Sequence, residues 1–174
     1  MKIKTIYSLK DGSSKFGEME IPFKEGNNSP NSIGKLTSLI PACGVYFRET
    51  PADYYFSWHV APQQQFIINL DAAVEVTTSD GESNTFESGE IFFVEDVHGK
   101  GHFSKSGEDK TRRSVFVTVP DSFPENSVGL TRNYNPEKKY KILLQNGIFV
   151  FIMIVIYMLT TRITICMIME FLWE

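Results

Sequence analysis

Short strand-length segments separated by turn residues fill residues 1–120 and most constrain the fold of this chain. Apolar and polar residues alternate over residues 3–9 and again from Phe16, which is the pattern of strands with one buried face. The segment SDGES at 79–83 holds an Asp-Gly pair, which is typical of hairpin turns. No part of this region sustains a helical period, so the pattern predicts an all-β sandwich or barrel. Further strands are predicted at 58–61, 66–70, 73–77, 91–94 and 114–119.

The overall composition is that of an ordinary globular protein. The chain has 174 residues, of which 42% are hydrophobic and 22% charged, and this balance excludes extended disorder. The net charge of −4 argues against a nucleic-acid-binding protein with a broad basic surface. Cys43 and Cys166 are too few for a disulfide framework, and their wide separation does not resemble a zinc site.

Charged residues almost disappear after residue 141. The segment that follows keeps only Arg162, Glu170 and Glu174. This change in composition separates a folded domain from a tail that needs its own explanation. The chain therefore divides into a β-barrel domain at 1–125, a polar and basic linker at 126–141 and a hydrophobic tail at 142–174.

The tail contains a stretch, residues 142–161, that is long and apolar enough for a transmembrane helix of about 20 residues. The basic residues Lys138, Lys139 and Lys141 lie just upstream, and positive flanks stay on the cytoplasmic side. These features favour a cytoplasmic barrel that is tail-anchored to a membrane. Two alternatives stay open: a soluble segment packed on the barrel, or translated non-coding sequence, which the A/T-rich codons of the dominant residues would explain.

Two segments each place a histidine beside an apolar strand. They are WHVAPQQQFIINLDA at 58–72 and ESGEIFFVEDVHGKGH at 87–102, about 30 residues apart. Alternation turns Gln65 toward the inside of a closed barrel, so a small barrel could bring His59, Gln65 and His102 together at one mouth. The strand at 91–94 within the second segment is almost wholly apolar, which is typical of a strand buried on both faces.

Two further features of the chain lead to predictions about local structure. The GKG sequence at 99–101 predicts a turn that needs a positive φ angle. Arg112 and Arg113 are predicted at the start of the closing strand, with both side chains facing solvent.

These residues resemble the cupin superfamily, whose members are small double-sheet jelly rolls with two short motifs. In the first motif, roughly G-x5-H-x-H-x3-E-x6-G, His59 stands at the first histidine and Gln65 at the glutamate. Ala61 replaces the second histidine. In the second motif, roughly G-x5-P-x-G-x2-H, Gly89 and His102 match. More narrowly, FRETP, WHxAPxxQ and EDxxGKGH resemble a subgroup of single-domain cupins that largely lacks an assigned function.

The resemblance implies a cupin-type jelly-roll barrel, followed here by a C-terminal hydrophobic helix. Cupins that bind a metal commonly use three histidines and one glutamate, so the implied ligands are His59, Gln65 and His102. A divalent Fe, Mn, Ni or Zn ion would be held weakly or not at all, because this set lacks negative charge. A carboxylate or a third imidazole would complete the set if the loop folds inward; the candidates are Glu95, Asp96 and His98.

Two classes of function follow from these features. The first is a cupin-like barrel that binds a small molecule or a metal, with membrane tethering through 142–161. The alternative is a non-catalytic structural or protein-interaction barrel with a degenerate metal site. The sequence leaves open whether the chain is an enzyme. It is compatible with a homodimer and predicts no nucleic-acid partner.

Overall fold

The computed structural model describes residues 1–25, 34–123 and 131–132, and all structural statements concern those residues. The described residues all belong to one compact unit, Met1–Glu137. The predicted tail at 142–174 lies outside the described residues, as does nearly all of the predicted linker. Within the described ranges, no helix is long and apolar enough to cross a membrane.

The described residues are all-β, as the alternating pattern predicts, and they contain thirteen strands. The first seven are β1 Lys2–Ser8, β2 Ser14–Glu20, β3 Lys24–Glu25, β4 Lys35–Leu36, β5 Gly44–Thr50, β6 Tyr55–His59 and β7 Gln65–Asn69. The others are β8 Val74–Thr78, β9 Ser83–Phe86, β10 Ile91–Val94, β11 His102–Ser106, β12 Arg112–Thr118 and β13 Thr131–Arg132.

These strands form two main sheets. The larger has seven strands in the order β13-β2-β1-β10-β7-β12-β5, and the smaller has four in the order β6-β11-β8-β9. Strands β1 and β10 are parallel, and the other neighbours are antiparallel. A separate pair consists of β3 and β4. Strands β5 and β6 are edge strands of different sheets. On that side of the domain, the two sheets are therefore not paired with each other.

The buried core consists of two apolar clusters, and β10 contributes to both. Phe93 belongs to the cluster around Met19 and Phe66, whereas Phe92 belongs to the cluster around Ile6 and Phe86. Neighbouring residues of a strand point to opposite faces, so the larger sheet is covered on both sides here. The prediction that the strand at 91–94 is buried on both faces is therefore confirmed.

Several predicted turns and strands agree with the structure to within a few residues. The SDGES segment connects β8 to β9, and its Asp80 side chain accepts hydrogen bonds from Thr78 Oγ1 and the Glu82 amide. Gly99 and Gly101 have φ angles of 87° and 70°, so the predicted turn with positive φ is confirmed. The strand predicted at 58–61 corresponds to β6, which starts three residues before Trp58.

The larger sheet also includes residues beyond position 125. Strand β13 pairs Thr131 with Glu20 and Arg132 with Met19 on β2. Before it, Phe123 is buried in the core cluster that contains Phe93. Backbone pairing of the barrel domain thus continues to residue 132.

Candidate functional site

A cavity of about 410 Å³ lies between the two sheets. The larger sheet contributes residues of β5, β7, β10 and β12, and the smaller sheet contributes residues of β6, β8 and β11. Apolar and aromatic side chains form most of its wall, including Phe56, Ile67, Val74, Val76, Phe92 and Phe116. Its polar lining includes Arg48, His59, Gln65, His102, Ser104 and Arg112.

The two motif histidines face each other across neighbouring strands. His59 ends β6, His102 begins β11, and the two residues are directly paired in the antiparallel register. Their ring centroids are 4.4 Å apart, and both residues line the cavity. The structure therefore brings together the pair that the sequence analysis placed at one mouth of the barrel.

His102 is oriented by a buried carboxylate. Its Nδ1 lies 2.7 Å from Asp96 Oδ2, and the Asp96 side chain is fully buried. Burial raises the pKa of Asp96, and the hydrogen bond with His102 opposes that rise. A carboxylate can only accept this hydrogen bond, so Nδ1 of His102 carries a proton, and Nε2 is the nitrogen left for other contacts.

His59 is held by its own strand. Its Nδ1 is 2.7 Å from the carbonyl oxygen of Ser57, which can only accept, so Nδ1 carries the proton here too. Burial lowers the pKa of His59 to about 4, with smaller contributions in the same direction from the charges of His102 and Arg48. His59 is therefore neutral at neutral pH, with the lone pair of Nε2 available.

Gln65 lies beside the cavity, as predicted, and its side chain already makes a hydrogen bond within the protein. It is buried at the start of β7 and lines the cavity. Its Oε1 accepts a hydrogen bond of 3.1 Å from the Tyr46 hydroxyl. The residue that replaces the motif glutamate thus anchors a tyrosine of the cavity wall.

Of the three additional ligand candidates, only Asp96 reaches the histidines, and it does so as the hydrogen-bond partner of His102. Glu95 is buried but is absent from the cavity lining. His98 is exposed, and its carbonyl oxygen accepts a hydrogen bond from Ser8 Oγ.

The donor set is small for a divalent metal. In the described part of the chain, no group of three or more His, Cys, Asp or Glu residues is arranged to hold a metal ion. The cavity offers two imidazoles and one amide oxygen that already accepts a hydrogen bond. Without a carboxylate in contact, these residues fit a weak site only.

Two arginines of the cavity were not expected as functional residues. The prediction that Arg112 faces solvent is wrong: it is 5% exposed, whereas its neighbour Arg113 is exposed as predicted. Arg112 lies on the inward side of β12, two residues from buried Ser114. Strict alternation along β12 is the signal that could have indicated the burial of Arg112. Arg48 lies within the FRETP motif.

Comparison with known proteins gives few matches. No family profile matches this chain, and neither does any curated protein. Among solved structures, protein NMB1881 from Neisseria meningitidis is similar at 20% identity and a TM-score of 0.37, covering 47% of this chain and 79% of that one. The EutQ protein of Clostridium difficile is 15% identical with a TM-score of 0.32, covering 60% of this chain and 69% of its own.

A third solved structure is described as ethanolamine utilization protein Q from Salmonella typhimurium. It is 16% identical to this chain with a TM-score of 0.36, and the match covers 69% of this chain and 96% of that one. Likenesses at this level carry no functional argument, so the site must be interpreted from its own geometry.

Proposed function

We propose that the described domain is a cupin-type jelly roll that binds a small organic molecule in the cavity between its sheets. The observation that carries this proposal is the cavity itself. Its volume of about 410 Å³ lies within the range typical of ligand pockets, and its apolar wall surrounds a few convergent polar groups. An apolar wall supplies affinity by excluding water, whereas the polar groups select and orient the ligand.

The histidine pair would offer two Nε2 atoms to such a ligand. With both Nδ1 atoms hydrogen-bonded within the protein, Nε2 is the nitrogen of each ring that remains for contact with a ligand. An O–H or N–H group of the ligand can donate to these atoms. Asp96 would stabilise the proton on His102 Nδ1, so His102 is the better placed of the two to accept a proton from a ligand.

The proposal is tested by filling the cavity. Val76 is buried and lines the cavity, whereas Val45 is exposed on β5, so Val76→Trp and Val45→Trp form a matched pair. A library of neutral and charged fragments is screened against the full-length chain by protein-observed NMR. Fragments should shift the signals of cavity residues in wild type and Val45→Trp, and binding should be lost in Val76→Trp.

A second filled variant, Ile67→Phe, keeps the test decisive if the larger substitution disturbs folding. Well-dispersed spectra of either variant without fragment binding support the proposal. Fragments that bind both filled variants as they bind wild type, or that shift only exposed edge-strand signals, contradict it. The latter result would favour a protein-interaction barrel.

A second candidate function is weak binding of a divalent cation by His59, His102 and Gln65. It is favoured by the short separation of the two rings and by the free Nε2 lone pairs. Titration calorimetry with Zn²⁺, Mn²⁺, Ni²⁺ and Fe²⁺ tests it. His59→Ala and His102→Ala should each remove most of the heat, while His98→Ala serves as the exposed control. Undiminished binding in both variants, or none in wild type, would contradict this candidate.

A further inference from the structure

The cavity wall contains a buried guanidinium group, two of whose nitrogen atoms have no hydrogen-bond partner among the described residues. Arg112 is 5% exposed and lines the cavity. Its Nε and Nη1 atoms are buried and have no hydrogen-bond partner among the described residues. Burying polar N–H groups unsatisfied is costly, so such a side chain indicates a binding partner that is supplied from outside the chain.

A second guanidinium group lies close by and adds to the positive charge. Arg48 and Arg112 lie over the Tyr54 ring, with Cζ atoms 5.3 Å and 5.6 Å from its centroid. In the described part of the chain, neither has a carboxylate within ion-pair distance. Exposed Arg113, by contrast, donates to Asp71 Oδ2 at 2.5 Å. Both arginines line the cavity, but Arg112 is buried whereas Arg48 is exposed at the edge strand β5.

The charge of Arg112 persists despite burial. Desolvation lowers its pKa to about 10, and the nearby charge of Arg48 acts in the same direction. A guanidinium with this pKa is still protonated at neutral pH. The cavity therefore presents two positive charges on one side, and an anion placed between them would relieve their mutual repulsion.

The arginines and the histidines lie at different levels of the cavity. Tyr54, which contacts both arginines, has its hydroxyl 2.8 Å from Ser104 Oγ on β11. Ser104 is two residues from His102 on the same face of the strand, which corresponds to about 7 Å. A ligand could therefore place an anionic group at the arginines while a second polar group reaches the histidines.

We propose that Arg48 and Arg112 form a subsite for the carboxylate group of a small organic acid whose apolar body lies in the same cavity. This inference rests on the proposed small-molecule function and specifies its ligand class. A planar carboxylate matches the flat guanidinium groups and carries a single charge. A phosphate dianion would have to enter a cavity with a mainly apolar wall, so the carboxylate is the favoured anion.

Matched acids and amides test the subsite on the full-length chain at pH 7. The probes are phenylacetate with phenylacetamide, hexanoate with hexanamide, and inorganic phosphate, measured by titration calorimetry. Each acid should bind wild type at least about tenfold more tightly than its amide, because only the acid forms charge-assisted hydrogen bonds. Phosphate should bind more weakly than either acid.

Arg112→Met is the decisive variant, with Arg113→Met as the control on the neighbouring, outward-facing residue. Arg112→Met should remove the advantage of acid over amide and leave amide affinity unchanged, whereas Arg113→Met should keep wild-type affinities. The melting temperature of the ligand-free protein separates binding from structure. Arg112→Met should not lower it, because methionine replaces a buried charge that has no carboxylate partner among the described residues.

The outcomes distinguish this inference from the function on which it rests. Equal binding of acids and amides would overturn the subsite and leave the small-molecule function standing. Tighter binding of phosphate would overturn the carboxylate assignment. Failure of every acid to bind would overturn the subsite, and failure of all fragments in the earlier screen would overturn both. A lower melting temperature of Arg112→Met with unchanged acid affinity would assign Arg112 a structural role.

Discussion

Gly101 lies against the backbone of His59 so closely that no other residue fits there. A Cβ atom at position 101 would stand 2.0 Å from the carbonyl oxygen of His59, and the φ angle of Gly101 is +70°. Both facts call for glycine. The contact places the start of β11 against the end of β6, and this placement brings the two histidine rings to 4.4 Å. Gly101 therefore helps to position the two histidines of the site.

Gly101→Ala should consequently destabilise the domain severely. We expect a loss of more than about 3 kcal/mol in the free energy of unfolding, because a backbone clash adds to the strain of positive φ. Gly81→Ala is the control: its φ is +95°, but a Cβ there meets nothing within 4 Å. That variant should lose only about 1 kcal/mol. Urea unfolding measures both values, and equal losses would contradict the clash.

The tautomer of His102 should depend on Asp96. Asp96→Asn replaces an obligate acceptor with an amide that can also donate, so a large fraction of His102 should shift its proton from Nδ1 to Nε2. Long-range ¹H–¹⁵N correlation spectra report the tautomer directly. Asp80→Asn, which alters a carboxylate of the β8–β9 turn, should leave it unchanged. An unaltered Nδ1–H form in Asp96→Asn would show that another contact orients the ring.

Much of the sheet architecture could be predicted because the patterns of apolar and polar residues in the sequence match the burial of those residues in the fold. The apolar run at 91–94 and the alternation from Gln65 predict from the sequence alone that these residues are buried. The approach of His59 and His102 was also predictable, since both lie beside such strands. A resemblance to known motifs supported the same pair.

The sequence does not specify the role of Asp96, whereas the alternation along β12 signals that Arg112 is buried. Asp96 meets His102 only because the intervening loop turns at Gly99 and Gly101, and sequence does not specify its path. A charged side chain rarely stays buried without a partner, so residue type alone favours solvent for Arg112. Its burial is set by the register of β12, which turns alternate residues toward the cavity.

Acid should destabilise the metal-free protein through His59. Its pKa is about 4 in the folded state and about 6.5 when unfolded, so between these values the unfolded chain binds a proton that the folded protein does not. Stability should therefore fall as the pH drops from about 6.5 to 4. The half-buried position reduces the effect to the order of 1 kcal/mol.

Comparing variants isolates this contribution from that of other groups. His59→Gln cannot titrate, so its stability relative to wild type should rise by that amount as the pH falls from 6.5 to 4, with EDTA present throughout. Urea unfolding at several pH values gives the difference. Parallel curves for wild type and His59→Gln would contradict the shifted pKa.

Phe123 should contribute strongly to the stability of the barrel domain although it follows the end of β12. It is 4% exposed, and its ring centroid lies 5.5 Å from that of Phe66 and 5.2 Å from that of Phe93. We expect Phe123→Ala to lower the free energy of unfolding by about 3–4 kcal/mol. Phe47→Ala, at a residue 78% exposed, should change it by less than about 0.5 kcal/mol. Similar effects in denaturant unfolding would contradict this packing.

The fragment 1–125 should fold without the rest of the chain. It keeps every strand of the described residues except β13, whose two residues pair with the end of β2. We expect a β-type circular dichroism spectrum and a cooperative thermal transition, with a midpoint close to that of a longer fragment ending at residue 137. A spectrum typical of an unfolded chain would show that the segment after 125 is needed for folding.

The tail lies outside the described residues, so membrane anchoring stays a sequence-based prediction. Residues 142–161 are mostly apolar, and their polar members stand near the two ends, where the cost of insertion is small. Arg162 follows directly and can extend its charge toward water. Full-length protein expressed in cells should therefore pellet with membranes and resist carbonate extraction.

Charges near the middle of this stretch should release the protein from the membrane. Ile152→Asp with Ile154→Asp places two carboxylates close to the bilayer centre, at about 2.5–3.5 kcal/mol each on an insertion scale, which is enough to favour the soluble fraction. Gln145→Asp with Asn146→Asp adds the same charges near one end and should remain in the pellet. Full-length wild-type protein in the soluble fraction would contradict the anchor, and a transcript lacking the codons after about 135 would show that the tail is not made.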